Sequence, residues 1–273
     1  MPASSNFQQA IQEAQRGALV GPNVVNKALP YVGGGMLLTA GGVLGGLSLL
    51  ASNPAGFMSL FWVALIGNFI LFFVAQNVAM KGNNSTALPL LTAYSLLTGF
   101  TLSGIVFQAQ LVAGMGAIAT ACLATGATFV AASVMGRRMS DSVGAIGTAV
   151  LATGITFVAA SVMGRRMSDS VGQALSGVVG LGILGLVIAM LVQIVGGFFA
   201  PAMFHGTGFE LMIAGFGTVL FVGAAFVDFY TMPRTYSDDQ YLAGALGMYL
   251  TYINLFIFIL RLIIALQGGG RRD

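Results

Sequence analysis

Charged residues are scarce in this sequence, and their scarcity sets the class of protein. Only 7% of the 273 residues are Asp, Glu, Lys or Arg, against roughly 25% in a soluble domain. Hydrophobic residues make up 57%. The net charge of +3 is too small to indicate nucleic-acid binding. The composition therefore predicts an integral membrane protein whose first partner is the lipid bilayer.

Residue types that commonly act in catalysis or metal binding are also scarce. Cys122 is the only cysteine, which excludes a disulfide within the chain, and His205 is the only histidine. The sequence contains no HExxH, no GxSxG and no GxGxxG motif after a strand. We therefore expect a protein that is not an enzyme and that has no cofactor and no metal site.

Glycine, in contrast, is abundant. The chain has 39 glycines, roughly twice the ordinary share of about 7%. Gly41, Gly42, Gly45 and Gly46 lie within one apolar run. Small residues let transmembrane helices approach closely, so this run predicts close helix packing.

Eight apolar segments are each near or above the ~20 residues that a helix needs to cross a ~30 Å hydrocarbon core. They lie at 29–52, 57–80, 87–109, 111–136, 143–164, 173–200, 209–233 and 241–267. We predict an all-α polytopic bundle over 28–267, preceded by a polar cytoplasmic tail at 1–27 and followed by a short tail at 268–273. No strand is expected.

The middle of the chain contains a tandem repeat. Residues 116–143 recur as 144–171 with three differences, one of which exchanges Cys122 for Val150. Such similarity indicates a recent duplication or an artefact of the gene record, and not a solenoid period. Without one copy the chain has seven spans. We expect the extra copy to add a full eighth span, because 143–164 is long and uncharged.

The last apolar segment carries a row of polar groups. Thr251, Asn254, Phe258 and Arg261 fall along one helical face, since residues three or four apart are neighbours on a helix. In a helix surrounded by lipid, such a face would expose polar groups to hydrocarbon, which is unfavourable. We therefore expect 241–266 to lie inside the bundle. Asn254 should bond to other helices. Arg261 either does the same or extends to the headgroups.

Asp228 is the carboxylate that we single out as a site. An ionisable group inside an apolar segment is costly, and is by default a functional hypothesis. The alternative is that Asp228 lies at headgroup level, two residues before Tyr230, and merely ends its helix. No charge pair marks a substrate site of the kind that secondary transporters have.

The last segment also resembles a known family. MYLTYINLFIFILRL is similar to the final helix of the Bax inhibitor-1 family, whose pattern is roughly LYLDxINLFLxLLRL, and VNKALPY resembles the VNKVLRNTY that precedes the first helix of that family. The matching residues in the last helix are Tyr249, Leu250, Ile253, Asn254, Leu255, Phe256, Leu260 and Arg261. The resemblance implies a seven-helix bundle around this last helix.

The resemblance implies an ion- or proton-sensing site, with one departure. In the family an aspartate matching Asp228 pairs with an aspartate of the last helix, and the two form a pH-sensing dyad that closes a cation leak. Thr251 stands at the second position. A hydroxyl supplies no like-charge repulsion, so we expect little response to pH. The site residues that we predict are Asp228, Thr251, Asn254 and Arg261.

Two functions follow from the resemblance, and a third remains open. Some bacterial members without the dyad bind a membrane-anchored AAA protease that degrades membrane proteins. The absent second aspartate and the polar tail favour this role in protein quality control or stress response, in a bacterial inner membrane. The alternative is a pH-regulated leak for calcium, another cation or protons. The third function is secondary transport.

Overall fold

A computed structural model describes residues 19–113, 164, 167–204 and 206–269 of the chain. These residues form six long helices, joined by short connections wherever the chain between them is described, and the described ranges contain no strand. The helices are α1 (Val24–Ser52), α2 (Pro54–Met80), α3 (Asn84–Ala113), α4 (Asp169–Phe199), α5 (Thr207–Thr235) and α6 (Tyr241–Gly269), with a four-residue helix, Pro201–Phe204, between α4 and α5. Each long helix is long and apolar enough to cross a membrane. The prediction of an all-α polytopic membrane protein is confirmed.

Two of the eight predicted segments are not tested by this structure. Of the segment 111–136, only 111–113 is described, as the end of α3, and 143–164 is described only at Gly164. Most of the duplicated unit lies outside the described residues too. The first helix begins at Val24, inside the predicted tail 1–27, and not at 29.

Local sequence signals explain how the first three helices are joined. Asn53 alone separates α1 from α2, and its side-chain oxygen accepts a hydrogen bond from the Gly56 amide at 2.9 Å. This N-cap, followed by Pro54 in the first turn, is a strong start signal for a helix. Gly82 has a φ of +71°, which glycine adopts without steric cost, and it turns the chain from α2 into α3.

Polar contacts define the near end of the bundle, where α1 begins. The Asn23 amide donates to Asp238 at 2.9 Å, and the Gln240 side chain donates to the Met80 carbonyl at 2.6 Å. Asp169, at the start of α4, pairs with Arg234 at 3.1 Å. The near end therefore contains the first residues of α1, α3, α4 and α6 and the last residues of α2 and α5. The far end contains the opposite termini.

The last helix is the centre of the bundle, as the sequence predicted. It contacts α1, α2, α3 and α5. The largest fully buried side chains are mostly its own: Tyr249, Tyr252, Leu242, Leu246, Met248 and Leu260. A helix that is buried on nearly all sides does not face lipid along its length.

A crossing of α1 and α3 uses two of the four glycines noted in the sequence. A Cβ at Gly42 would overlap the Leu96 carbonyl oxygen, and one at Gly46 would overlap the Ser103 hydroxyl. Gly41 and Gly45 have open space at the corresponding position. The prediction of close packing is thus confirmed for the face that carries Gly42 and Gly46.

Buried hydroxyls tie α1, α3 and α6 together in the middle of the bundle. The hydroxyls of Thr39 and Tyr249 lie 2.6 Å apart and share a hydrogen bond, and Thr39 also donates to the Ser95 carbonyl at 3.1 Å. Asn68 of α2 donates to the nearby Thr98 at 3.0 Å. Such contacts fix the register of helices that have no hydrophobic driving force between them in lipid.

The basic residues of the described ranges bear on the orientation of the bundle. Lys27, Lys81 and Arg234 all lie at the near end, where Lys27 donates to the Asp238 carbonyl at 3.2 Å. The excess of basic groups indicates that this end is cytoplasmic. The eighth span stays a prediction, because residues 114–163, which would contain it, lie outside the described ranges.

Candidate functional site

Asp228 lies inside the bundle, at the interface of α5 and α6. The Thr251 hydroxyl donates a hydrogen bond to its carboxylate, so the structure brings together the two residues at the dyad positions. The other carboxylate oxygen, Oδ2, is buried and has no hydrogen-bond partner within the described ranges. A buried acceptor without a partner is costly, and the site therefore has capacity for a proton, a cation or a water molecule.

Three polar side chains surround this carboxylate. Tyr252 of α6 is buried beside it. Tyr236, just beyond the end of α5, hydrogen-bonds to Gln76 of α2 and interacts electrostatically with Asp228. Burial raises the pKa of the Tyr236 phenol, the hydrogen bond from Gln76 lowers it, and the neighbouring carboxylate raises it further. Tyr236 is therefore a neutral phenol beside Asp228 at physiological pH.

Arg261 belongs to a second polar cluster, toward the far end. Its Nη2 donates to Glu210 Oε2 at 2.7 Å and to Gln193 Oε1 at 3.2 Å. Gln193 Nε2 also donates to Glu210. The cluster thus joins α4, α5 and α6, and Gln193 is only 6% exposed. Of the two possibilities for Arg261, the structure shows contacts within the bundle.

The contact that the structure shows for Asn254 lies within its own helix. Its side-chain amide donates to the Leu250 carbonyl of the same helix at 3.0 Å, and no hydrogen bond to another helix is present in the described part of the chain. Side-chain bonds to the carbonyl four residues earlier are a local alternative for a polar group in an apolar helix. Asn254 therefore belongs neither to the Asp228 site nor to the Arg261 cluster.

The comparison with known families covers nearly all of the bundle. The family model described as "Inhibitor of apoptosis-promoting Bax1" matches residues 21–145 and 139–268. This chain belongs to the Bax inhibitor family. The two matches meet inside the duplicated unit, so the family model does not continue through both copies in a single match.

Proteins from several organisms are similar to this chain. An uncharacterised membrane protein of Streptococcus pyogenes serotype M1 is 27% identical over 235 residues, which are 83% of this chain and 80% of that protein. Bax inhibitor 1 of Schizosaccharomyces pombe is 38% identical over 60 residues, 22% of this chain and 23% of its own. Protein lifeguard 4 of Mus musculus is 28% identical over 83 residues, 30% and 34% of the two chains.

Sequence reasoning missed two of the three members of the Arg261 cluster, Glu210 and Gln193. We expected no charge pair, whereas Glu210 and Arg261 form one. Glu210 is the one acidic residue in the first turn of α5. An acidic residue at the edge of an apolar segment is a sequence signal that could have identified it as a partner for Arg261. Gln193 gave no comparable signal, since an amide near a helix end is ordinary.

Proposed function

We propose that this member of the Bax inhibitor family is a non-enzymatic leak for cations or protons through the helix bundle, and that Asp228 is the group that the ion meets. The observation that carries the proposal is the buried Oδ2 atom without a partner. An ionisable group within a span marks an ion or proton pathway by default. The relative in Streptococcus pyogenes, which is matched over 80% of its length, supports a bacterial plasma (inner) membrane as the location.

The surroundings of Asp228 suit a positive ion. Among the described residues Asp228 is in no ion pair, because the two salt bridges there are those of Arg234 and Arg261. The groups that contact or face it are the hydroxyls of Thr251, Tyr252 and Tyr236. Carboxylate and hydroxyl oxygens suit calcium, other hard cations and protons.

The test is cation flux into liposomes that contain the purified protein. Asp228→Asn keeps the shape and removes the charge, so flux should fall toward that of protein-free liposomes. The matched control is Asp239→Asn, because Asp239 is exposed in the near-end loop and, within the described ranges, its contact is that of its backbone carbonyl, which accepts a hydrogen bond from Asn84. Equal flux in the two variants would contradict the proposal.

A second candidate is the modulation of a membrane-anchored AAA protease in quality control or stress response. Thr251 in place of the second aspartate favours it, since the family members that the resemblance links to such a protease lack the dyad. The polar tail that we expected such a protease to bind is described only from residue 19. Co-purification of a protease with the tagged protein, together with flux equal to that of protein-free liposomes, would support this candidate over the leak.

Secondary transport has less support than either. Transporter sites are typically formed by discontinuous helices near the middle of the membrane. Each of the six long described helices is continuous from its first to its last residue. The Glu210 and Arg261 pair, the one feature of the described residues that fits a transporter, lies toward the far end.

A further inference from the structure

The interface of α5 and α6 has polar groups toward both ends and an apolar centre. Asp228 is seven residues before the end of α5, about 10 Å below the near end at 1.5 Å per residue. Glu210 and Arg261 form the polar cluster toward the far end. Buried hydrophobic side chains of α5 and α6 between the two polar sites form one cluster with side chains of α4. The cluster includes Phe221, Ala224, Leu255 and Phe258, and Leu220 packs against Gly182 of α4.

Phe258 lies at the far-end side of this apolar stretch, one helical turn before Arg261. Its ring stacks on that of Phe221, with the centroids 5.5 Å apart and the planes inclined by 19°. The ring also fills the space beside Gly217, where any Cβ would overlap three of its carbon atoms. Phe258 is 3% exposed. The two rings and Gly217 are therefore in tight, apolar contact in this layer.

The Arg261 cluster lies directly against this ring. The guanidinium carbon of Arg261 is 5.7 Å from the centroid of Phe258, which is within the range of a cation–π contact. Glu210 and Gln193 hold the guanidinium from α5 and α4. The ring is therefore enclosed by Phe221 and Gly217 within the interface and by Arg261 at the far end.

We propose that Phe258, stacked on Phe221 in the space beside Gly217, is a hydrophobic gate that keeps the path from Asp228 to the far end closed. The inference rests on the proposed leak. Hydrophobic constrictions close a pore by excluding water, and an ion that has lost its water does not cross them. Displacement of the Phe258 ring opens the layer, and the ion then passes from Asp228 toward Glu210.

The first test compares two phenylalanines of the same helix in the liposome flux assay. Phe258→Ala removes the gate and should raise cation flux severalfold over the parent. Phe256→Ala is the matched control, because Phe256 is also buried but packs in a separate cluster with Val106 and Leu260. A rise in Phe258→Ala alone supports the gate. Equal flux in the two variants overturns it.

A second pair of variants displaces the ring without removing it. Gly217→Ala places a methyl group where the ring lies, and should raise flux. Gly215→Ala is the control, since a Cβ there meets nothing within 4 Å. Size-exclusion elution and thermal stability identify variants that fail to fold. If one variant does not fold, the other pair still tests the gate.

The outcomes separate the gate from the leak. If Asp228→Asn lowers the flux of the parent while Phe258→Ala and Gly217→Ala match their controls, the leak stands and the gate is overturned. If neither the parent nor any variant exceeds protein-free liposomes, both are overturned.

Discussion

Arg261 Nη2 lies 2.7 Å from Glu210 Oε2, so that the C-terminal part of α6 is linked to the first turn of α5. The Arg261 and Glu210 side chains are 16% and 31% exposed. The pair is therefore partly buried, intermediate between a surface ion pair and a fully buried one. Opposite charges within apolar segments hold antiparallel helices in one register, because any shift leaves an unpaired charge in a medium that solvates it poorly.

The first prediction concerns the geometry of this cluster. Arg261→Lys should destabilise the protein, because one ammonium group does not reproduce the planar guanidinium held by both Glu210 and Gln193. Hydrogen bonds to charged groups contribute about 1.5–3 kcal/mol, and the partial exposure of Glu210 puts the expected loss at the low end. Asn254→Leu should cost less, since that amide bonds only within its own helix. Thermal unfolding in detergent measures both, and the opposite order would contradict the role of the cluster.

The second prediction concerns the buried hydroxyl of Thr39. Thr39→Val removes one partner of the Tyr249 hydroxyl, which keeps Thr98 and Ser95 beside it, and should cost roughly 0.5–1.5 kcal/mol of stability. The matched control is Thr92→Val, because the Thr92 hydroxyl bonds, among the described residues, to the Leu88 carbonyl of its own helix. A smaller loss of thermal stability in Thr39→Val than in Thr92→Val would show that the contact does not fix the register of α1 and α6.

The third prediction concerns the missing carboxylate. Thr251→Asp places a second carboxylate against Asp228, and two such groups titrate as a coupled pair. At mildly alkaline pH both are ionised and repel each other, so α5 and α6 separate and flux rises with pH. The parent lacks this repulsion, so the flux of Thr251→Asp should depend more steeply on pH than that of the parent. Tyr252 and Tyr236, the other polar groups that face Asp228, and Gln76, which bonds to Tyr236, are the same in both proteins.

Thr251→Asn is the control for the pH experiment, because it alters shape and polarity without adding a charge. The idea would be contradicted if the flux of the parent already depended strongly on pH and Asp228→Asn left that dependence unchanged. This position would then not be the sensor.

The fourth prediction concerns orientation in the membrane. The near end should face the cytoplasm, since Lys27, Lys81 and Arg234 lie there. With Cys122 replaced by serine, a membrane-impermeant maleimide should label Ser52→Cys in intact cells, and Asn83→Cys only after permeabilisation. Both positions are exposed, at the far and near ends respectively. Reporter fusions at residue 269 should place the end of α6 outside, and a cytoplasmic signal there would support an even number of crossings.

The fifth prediction concerns the duplicated unit. Deletion of 144–171 should leave a folded and inserted protein, because the first copy ends in the same RRMSDSV as the second and joins directly to Gly172. Asp141 would then take the place of Asp169, which pairs with Arg234 at the start of α4. Detergent-extracted yield and thermal stability are compared with the parent. Loss of all inserted protein would show that the second copy is required by the bundle.

The sequence by itself determined the class of the molecule and the identity of its central helix. Runs of about 20 apolar residues have one stable outcome in a bilayer, because a helix satisfies its own backbone hydrogen bonds. The polar groups on the face that carries Thr251 and Arg261 identified a helix that lipid does not surround. A lone carboxylate in an apolar run, Asp228, was visible for the same reason, since its position there is costly.

Only the tertiary structure decided which residues meet. Helical periodicity gives the face on which a residue lies, but not the vertical register of one helix against another. That register places Glu210 against Arg261 and Gly217 beneath Phe258, although 51 and 41 residues separate these pairs in the sequence. Asn254 shows the same limit, because its amide can bond to its own helix as well as to a neighbour. Contacts between helices depend on the packing of the whole bundle, and no local pattern encodes them.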